Sequence, residues 1–420
     1  MSLVSNLFLL FVAVSVLVYY IVPHKFQWLV LLCFSYIYYL AGGVRYVGFI
    51  LFSTLVTWGI ALAVEKAEAG GSHKSARNFL VLGLILNFGM LGVIKYTNFM
   101  IENLNALFHM NLRGMEILLP LGISFYTFQS SGYLLDVYWK RCEAEKNPVK
   151  YALFVSFFPQ LIQGPISFYD QLAHQLYAER NFSYKNLKHG TLLMLWGYFK
   201  KMVIADRAVS LIQMVAPDYM QYNGTVIFIT VLVYALQLYA DFSGGIDISR
   251  GFAEILGIEM AENFCRPYFA VSINDYWRRW HITLGAWMKN YVFYSLAMSK
   301  RFFKMGKNLK QKYGDHAIGA HIAKVLPAGI ASFITFLLVG IWHGANMKYV
   351  AFGVWNGSVI LLSVLMQPLF NKAIAGLHIQ TQKKSWRIFQ ILRTFLIVLI
   401  GYMFDIGNNF SAAIDMLGRC

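Results

Sequence analysis

The sequence predicts an all-α, polytopic integral membrane protein, on the basis of its composition and the length of its apolar runs. Hydrophobic residues make up 58% of the 420 residues and charged residues only 13%, whereas a soluble domain carries about 25% charged residues. The apolar residues occur in runs of about twenty, the length that crosses roughly 30 Å of hydrocarbon as a helix. A water-soluble globule is therefore excluded, and a single membrane domain over residues 1–420 is expected.

The apolar runs predict about 10–11 transmembrane helices, with further segments re-entrant or interfacial. The first run, Leu3 to Val22, lacks the basic start and the cleavage site of a signal peptide, so we interpret it as an uncleaved span. The candidate spans, not all of which are expected to cross the membrane, lie at residues 3–22, 26–43, 45–64, 78–97, 118–138, 150–166, 190–213, 224–243, 286–299, 325–342, 347–369 and 387–405.

The charge distribution predicts the orientation of the chain. The formal net charge is +16, from 36 Lys and Arg against 20 Asp and Glu, but the basic residues lie in short loops between apolar runs, which indicates membrane topology and not nucleic-acid binding. The loops at 65–77 and 139–150 are basic, whereas the stretch 98–117 carries one basic residue, Arg113. This asymmetry places the amino terminus outside and both basic loops in the cytoplasm.

A dense basic cluster at residues 300–312 is also expected to be a cytoplasmic loop. It holds six Lys and Arg residues and is interpreted as a topology determinant attracted to anionic membrane lipid. The alternative is a docking site for an acidic partner or for donor phosphates. The four cysteines are scattered without metal-ligand spacing, so neither a metal site nor a disulfide framework is predicted.

Residues 272–281 predict a polar helix face. Ser272 suits the N-cap and Asp275 the third helical position of a capping box. At 100° per residue, Asn274, Arg278 and His281 fall on one face and tryptophans on another. This face could line a polar cavity; the alternative is an interfacial helix anchored at the lipid headgroups.

A second candidate, His343, ends an apolar run that begins near Val325. Eighteen residues at about 1.5 Å per residue place the imidazole roughly 27 Å along the helix, deep in or across the membrane. Gly340 and Gly344 flank it and would let a substrate approach closely. A buried, neutral histidine can serve as a general base for a hydroxyl. The alternative is a structural histidine that bonds across helices.

Asp241 lies in one of three polar segments that contain Pro or Gly and are expected to be broken helices around a cavity, at residues 119–129, 157–165 and 239–247. An unpaired carboxylate at membrane depth is costly, so Asp241 is expected to pair with an Arg or His.

Together these segments resemble the membrane-bound O-acyltransferase (MBOAT) family, in the bacterial branch that contains the alginate O-acetyltransferase membrane subunit. The resemblance is carried, in the order that branch shows, by residues 119–138, 157–166, 241–258, 276–293 and 340–357. It implies an MBOAT fold with His343 as the catalytic histidine. His281 matches the second polar position, which is Asn in many eukaryotic relatives.

The resemblance implies transfer of an acyl group, most simply acetyl, from cytoplasmic acetyl-CoA to a hydroxyl, for O-acetylation of an exported cell-envelope polysaccharide. His343 and His281 would be catalytic, and the residues expected to contact substrate are Asn274, Trp277, Arg278, Trp342 and Asp241. No bound cofactor is implied. The expected partners are membrane lipid and an extracytoplasmic SGNH-type acyltransferase, and the expected location is the bacterial cytoplasmic membrane.

Two other functions remain open at this point. DFSGGID at 241–247 departs from the DFSGYSD usual in alginate-type members, and the related D-alanine exporter is similarly short, so D-alanyl transfer from a carrier protein to teichoic acid is one alternative. The other is a channel or transporter that moves an acyl carrier or lipid without chemistry.

The predicted orientation can be tested by thiol labelling in a chain whose four native cysteines are replaced. Cysteines introduced at Ser72 and at Asn308 should resist an impermeant thiol reagent in intact cells, because both positions are expected to be cytoplasmic, and should react after permeabilisation. Ready labelling of either site in intact cells would overturn the topology.

Overall fold

The computed structural model describes residues 1–161 and 163–420, and helices dominate this part of the chain. The helices, in chain order, are α1 Asn6–Ile21, α2 Gln27–Leu40, α3 Val47–Ala69, α4 His73–Phe108, α5 Ile123–Tyr138, α6 Pro148–Ser156, α7 Phe158–Gln163, α8 Tyr169–Tyr177, α9 Tyr184–Tyr198, α10 Asp206–Val215, α11 Gly224–Ile255, α12 Ile273–Trp277, α13 Ile282–Trp287, α14 Tyr294–Ala297, α15 Lys300–Tyr313, α16 Ala317–His343, α17 Met347–Leu365, α18 Gln367–Gly376, α19 Lys384–Ile406 and α20 Phe410–Arg419. The predicted all-α class is confirmed.

The chain divides into two compact units. Unit 1 comprises residues 1–206 and 239–262, and unit 2 comprises residues 207–238 and 263–420. Helix α11 contributes its first half to unit 2 and its second half to unit 1. The single membrane domain expected from the sequence stays a prediction.

Six helices of the described chain are long and apolar enough to cross a membrane, namely α3, α4, α11, α16, α17 and α19. Helix α1 is apolar but shorter. Each of the six overlaps a predicted span, so hydropathy located these helices, although α4, α11 and α16 are longer than predicted. The total of 10–11 crossings depends on the shorter helices and stays a prediction.

Several predicted elements differ in the structure. The span at 150–166 is two short helices, α6 and α7. The chain leaves the helical conformation at Phe157, and Pro159 lies in the first turn of α7, where a proline is tolerated. The span at 190–213 contains a π-helix at Phe199–Ala205. The span at 286–299 falls in a continuous helical segment that consists of α13, a π-helix at Met288–Phe293 and α14, and that ends at Ala297. The basic stretch 300–312, expected to be a loop, forms α15, capped by Ser299.

Unit 1 contains a helix pair whose backbones meet at glycines. A Cβ added at Gly197 of α9 would lie 2.6 Å from the carbonyl oxygen of Gly244 on α11, and one at Gly244 would lie 2.8 Å from that of Gly197. One heptad away, Gly190 and Gly251 approach each other in the same way. In lipid, the hydrophobic effect does not drive two helices together, because the lipid tails are as apolar as the helix surfaces. Helices therefore associate through close backbone packing of this kind.

Unit 2 contains a second pair of this kind, α16 and α17. A Cβ at Gly340 would lie 2.8 Å from the Cα of Gly353, and one at Gly353 would lie 2.7 Å from the carbonyl oxygen of Phe336. Only three residues separate the two helices along the chain, so they form an antiparallel hairpin with a tight turn. This turn follows His343 directly and fixes where its side chain can lie.

We expect Gly197→Ala to destabilise the protein, because the added methyl group meets the Gly244 carbonyl. Overpacking of this kind typically costs about 1–3 kcal/mol. Gly59 on α3 is a matched control: nothing lies within 4 Å of a Cβ added there, so Gly59→Ala should gain up to about 1 kcal/mol of helix propensity. Thermal unfolding of the purified protein measures both; equal midpoints for the two variants would contradict the packing.

Candidate active site

The predicted helix through residues 272–287 is broken in two. Helix α12 ends at Trp277, and α13 starts at Ile282 after His281, whose backbone is left-handed with φ 47°. The expectation that Asn274, Arg278 and His281 share one helical face is therefore wrong, because a turn lies between them. Arg278 is exposed and Asn274 is partly exposed on α12, whereas His281 is only 2% exposed.

The predicted start of this segment is confirmed. The Ser272 hydroxyl accepts the Asp275 backbone N–H at 3.2 Å, as an N-cap does. The Asp275 carboxylate reaches back to the Val271 N–H and also binds Arg279 Nε at 3.0 Å. The carboxylate is thus used to fix the turn, and nothing in its contacts points to substrate.

His281 is held by Asn263, a buried residue that the sequence analysis did not select. The imidazole Nδ1 lies 3.3 Å from Asn263 Oδ1. The same oxygen accepts the backbone N–H and the hydroxyl of Thr283, each at 2.9 Å. A backbone N–H can only donate, so the amide atom at this position is the oxygen.

These contacts define the tautomer of His281. Because Asn263 Oδ1 can only accept, Nδ1 of the ring carries the proton and donates it. His281 lies outside the six helices that are long and apolar enough to cross a membrane. Its pKa is lowered mainly by burial and to a smaller extent by the nearby His343. The ring is therefore neutral, and its Nε2 presents a lone pair that accepts a hydrogen bond.

His343 is exposed, contrary to the expectation of a buried imidazole. Helix α16 begins at Ala317, eight residues before the predicted start, so its 27 residues end at His343 and the side chain lies at the helix terminus. Gly344 continues in extended conformation and has no side chain to cover the ring. The ring stacks on Tyr349 at 6.2 Å between centroids, with 20° between planes, and contacts Phe352 edge-on at 5.2 Å.

Trp342 connects the two histidines. Its ring centroid lies 5.8 Å from that of His281 and 5.1 Å from that of His343. Trp277 borders the same group of aromatic rings, since it contacts Phe352 at 6.3 Å and donates its indole N–H to Asn356 at 3.3 Å. The structure thus brings His281, Trp342, His343 and Trp277 together within unit 2.

Asp241 belongs to unit 1. Its carboxylate binds Lys201 Nζ at 2.5 Å, so the expected partner, Arg or His, was wrong. The preceding lysine, Lys200, binds Asp247 at 2.6 Å and Ser243 at 3.0 Å. Both lysines lie in the π-helix that follows α9, and each pair neutralises charges that would otherwise be costly at membrane depth.

In the part of the chain that the structure describes, no group of three His, Cys, Asp or Glu side chains could hold a metal ion. Two residues of the site, Asn263 and Tyr349, were not predicted from the sequence. Tyr349 lies inside a segment that carried the resemblance, so the sequence did contain a signal for it. Asn263 gave none, because its partner is 18 residues away in the sequence.

The comparison with known proteins agrees with this architecture. Residues 143–308 match the model of the family described as "MBOAT, membrane-bound O-acyltransferase family". The probable alginate O-acetylase AlgI of Pseudomonas syringae pv. tomato is 32% identical over 99% of this chain and 74% of its own length. The peptidoglycan O-acetyltransferase of Helicobacter pylori is 30% identical over 93% of this chain and 72% of its own length.

A more distant relative is the teichoic acid D-alanyltransferase of Bacillus subtilis, which is 25% identical over 69% of this chain and 69% of its own length. Identity of about 30% along nearly the whole chain identifies a common fold and reaction class. This multi-pass membrane protein therefore belongs to the membrane-bound O-acyltransferase family and is an O-acyltransferase.

Proposed function

We propose that this O-acyltransferase moves an acetyl group from cytoplasmic acetyl-CoA toward a hydroxyl group, for O-acetylation of an exported cell-envelope polysaccharide. The relatives named for O-acetylation are similar to nearly all of the chain, whereas the D-alanyltransferase is similar to about two thirds of it. This difference favours acetyl over D-alanyl as the group transferred.

The observation that carries the proposal is the pair of histidines that both contact Trp342. One ring is buried, neutral and fixed in its tautomer; the other is exposed at the end of a membrane-crossing helix. This arrangement suits an acceptor that is held through one hydroxyl by the buried ring and deprotonated at a second hydroxyl by the accessible ring.

In the proposed reaction, His343 accepts the proton of the acceptor hydroxyl as its oxygen attacks the thioester carbonyl carbon. The new C–O bond forms, the C–S bond breaks, and the proton on His343 passes to the departing thiolate. No covalent acyl-enzyme is required. His281 Nε2 would accept a hydrogen bond from a neighbouring hydroxyl of the acceptor and so orient it, because the attacking hydroxyl has one proton and gives it to His343. The tautomer of His281 does not favour donation to the oxyanion.

Trp277 and Trp342 would form apolar walls around the reacting groups. Asn274 and Arg278, separated from His281 by the turn, would contact the donor or acceptor away from the reacting atoms. Asp241 would take no part in the chemistry, because its carboxylate already binds Lys201.

An extracytoplasmic SGNH-type acyltransferase would complete the transfer of the acetyl group to the polymer. The amino terminus of this chain would also lie outside the cell membrane.

The non-catalytic transporter considered from the sequence does not fit a chain that belongs to an O-acyltransferase family. D-alanyl transfer would be supported if ester-linked D-alanine, and not acetate, depended on this protein.

We expect cells that lack this protein to lose ester-linked acetate from an envelope polysaccharide, and the wild-type chain to restore it. His343→Ala should lower turnover about 10²–10⁴-fold with little effect on donor binding, because general-base assistance operates in the transition state. His343→Gln should be nearly as inactive, since an amide cannot accept the hydroxyl proton. The ester-linked acetate of each strain is measured by releasing it with mild base and quantifying it by chromatography.

Near-normal acetylation with His343→Gln would contradict the base assignment. An unchanged acetate content without the protein would contradict acetylation as the function.

We expect Asn263→Asp to shift the acid limb of the pH–rate profile to higher pH. A carboxylate beside Nδ1 favours the imidazolium and raises the pKa of His281, so the neutral ring, and with it activity, is lost as the pH falls through the raised value. His281→Ala should abolish transfer while the protein remains folded.

Thr283→Val serves as the control, because it removes a donor to the same amide oxygen and leaves both Asn263 and His281 in place. Its pH–rate profile should match that of the wild type. A profile for Asn263→Asp that does not move would contradict the assigned role of His281.

A further inference from the structure

We infer that a groove between α3 and α4 binds an anionic phospholipid, which places an acyl chain in the groove and its phosphate group on Arg45. The groove lies entirely within unit 1. This site is independent of the proposed acyl transfer, whose two histidines belong to unit 2.

The groove has a volume of about 630 Å³ and is lined almost entirely by apolar residues. Two of these are glycines that face open space: a Cβ added at Gly48 of α3 or at Gly89 of α4 would meet nothing within 4 Å. Larger apolar side chains border the gap and are themselves exposed, namely Phe52, Ile85 and Val93. A depression with exposed apolar walls suits a flexible chain of methylene groups.

The length of the groove matches one leaflet of a bilayer. On α4 it extends from Ile85 to Ile94, which is about 14 Å at a rise of about 1.5 Å per residue. Half of a hydrocarbon core of about 30 Å is about 15 Å. Both helices are long and apolar enough to cross a membrane, so an acyl chain that runs beside them in one leaflet would fill the groove along its length.

Arg45 lines the same groove and supplies a positive charge. It lies in the 3-10 turn Val44–Tyr46 directly before α3, and its side chain is exposed. Within the described residues its guanidinium forms neither an ion pair nor a side-chain hydrogen bond. The neighbouring N-terminus of α3 has no side-chain cap and carries the positive end of the helix dipole. This end of the groove therefore favours an anion, and a phosphate can accept two parallel hydrogen bonds from a guanidinium.

The charges around Arg45 favour a lipid over a second copy of the chain. Residues 1–64 contain no Asp or Glu, and α4 contains none before Glu102. A second copy that packed through this face in the same membrane orientation would therefore bring no carboxylate to Arg45. A phospholipid brings a phosphate for the guanidinium and, joined to it, an acyl chain for the groove. An anionic headgroup is favoured over a zwitterionic one, because a zwitterionic headgroup adds an ammonium group that Arg45 repels.

The test is a lipid titration of the purified protein in detergent, measured by native mass spectrometry, with phosphatidylglycerol and phosphatidylcholine of the same acyl chains. We expect the wild type to bind phosphatidylglycerol about tenfold or more tightly than phosphatidylcholine, as a charge-assisted hydrogen bond to phosphate allows. Arg45→Gln should remove this preference. Gly89→Leu should weaken the binding of phosphatidylglycerol about tenfold or more, because the leucine side chain occupies the groove.

Two variants are matched controls. Arg77→Gln removes one positive charge from an exposed position of α4 that does not line the groove. Gly92→Leu adds the same side chain to α4 at a glycine that also has nothing within 4 Å of an added Cβ but lies outside the groove. Both should bind phosphatidylglycerol as the wild type does. If Gly89→Leu does not fold, Gly48→Leu fills the groove from α3 instead.

Equal affinity of the wild type for the two lipids would overturn the inference, and so would unchanged binding of phosphatidylglycerol by the groove-filling variant. A wild-type dimer that Gly89→Leu converts to a monomer would also overturn it, because the groove would then hold a second copy of the chain. Acetyl transfer is not part of the measurement, so failure of the proposed function leaves the result of this test unchanged.

Discussion

The close approach of α16 and α17 at Gly340 and Gly353 is the constraint on which the candidate active site depends. Lipid offers no hydrophobic gain for pressing one apolar helix against another, so backbone contact has to hold them. Once the helices touch, the connection between them must be short. His343 then falls at the end of one helix, and Tyr349 falls in the first turn of the next, against it.

Hydropathy predicted the helical class and the main spans because a membrane leaves the backbone few options: each segment must satisfy its own hydrogen bonds. It could not predict the break before His281, since the helical wheel assumes a continuous helix and no Gly or Pro marks the turn. It also misplaced His343, because α16 begins eight residues earlier than the apolar run suggested. The partner of His281, Asn263, depends on folding and not on local pattern.

The ionisable residues at membrane depth show a similar limit. The sequence indicated that Asp241 needs a cation but not which one; the π-helix supplied Lys201, and beside it Lys200 for Asp247. Consecutive residues of an α-helix point about 100° apart. Lys200 and Lys201 nevertheless both bind aspartates of α11, and they lie in a π-helix, whose turn is wider than that of an α-helix. Each lysine offsets the charge of its aspartate, which lowers the cost of burying the two ions.

The left-handed backbone of His281 has an evolutionary consequence. Histidine and asparagine are both enriched in this conformation among residues other than glycine, so either can occupy the position without added strain. Their codons differ by a single base. One mutational step therefore exchanges an imidazole for an amide at this position and changes the hydrogen-bonding chemistry while the main chain keeps its conformation.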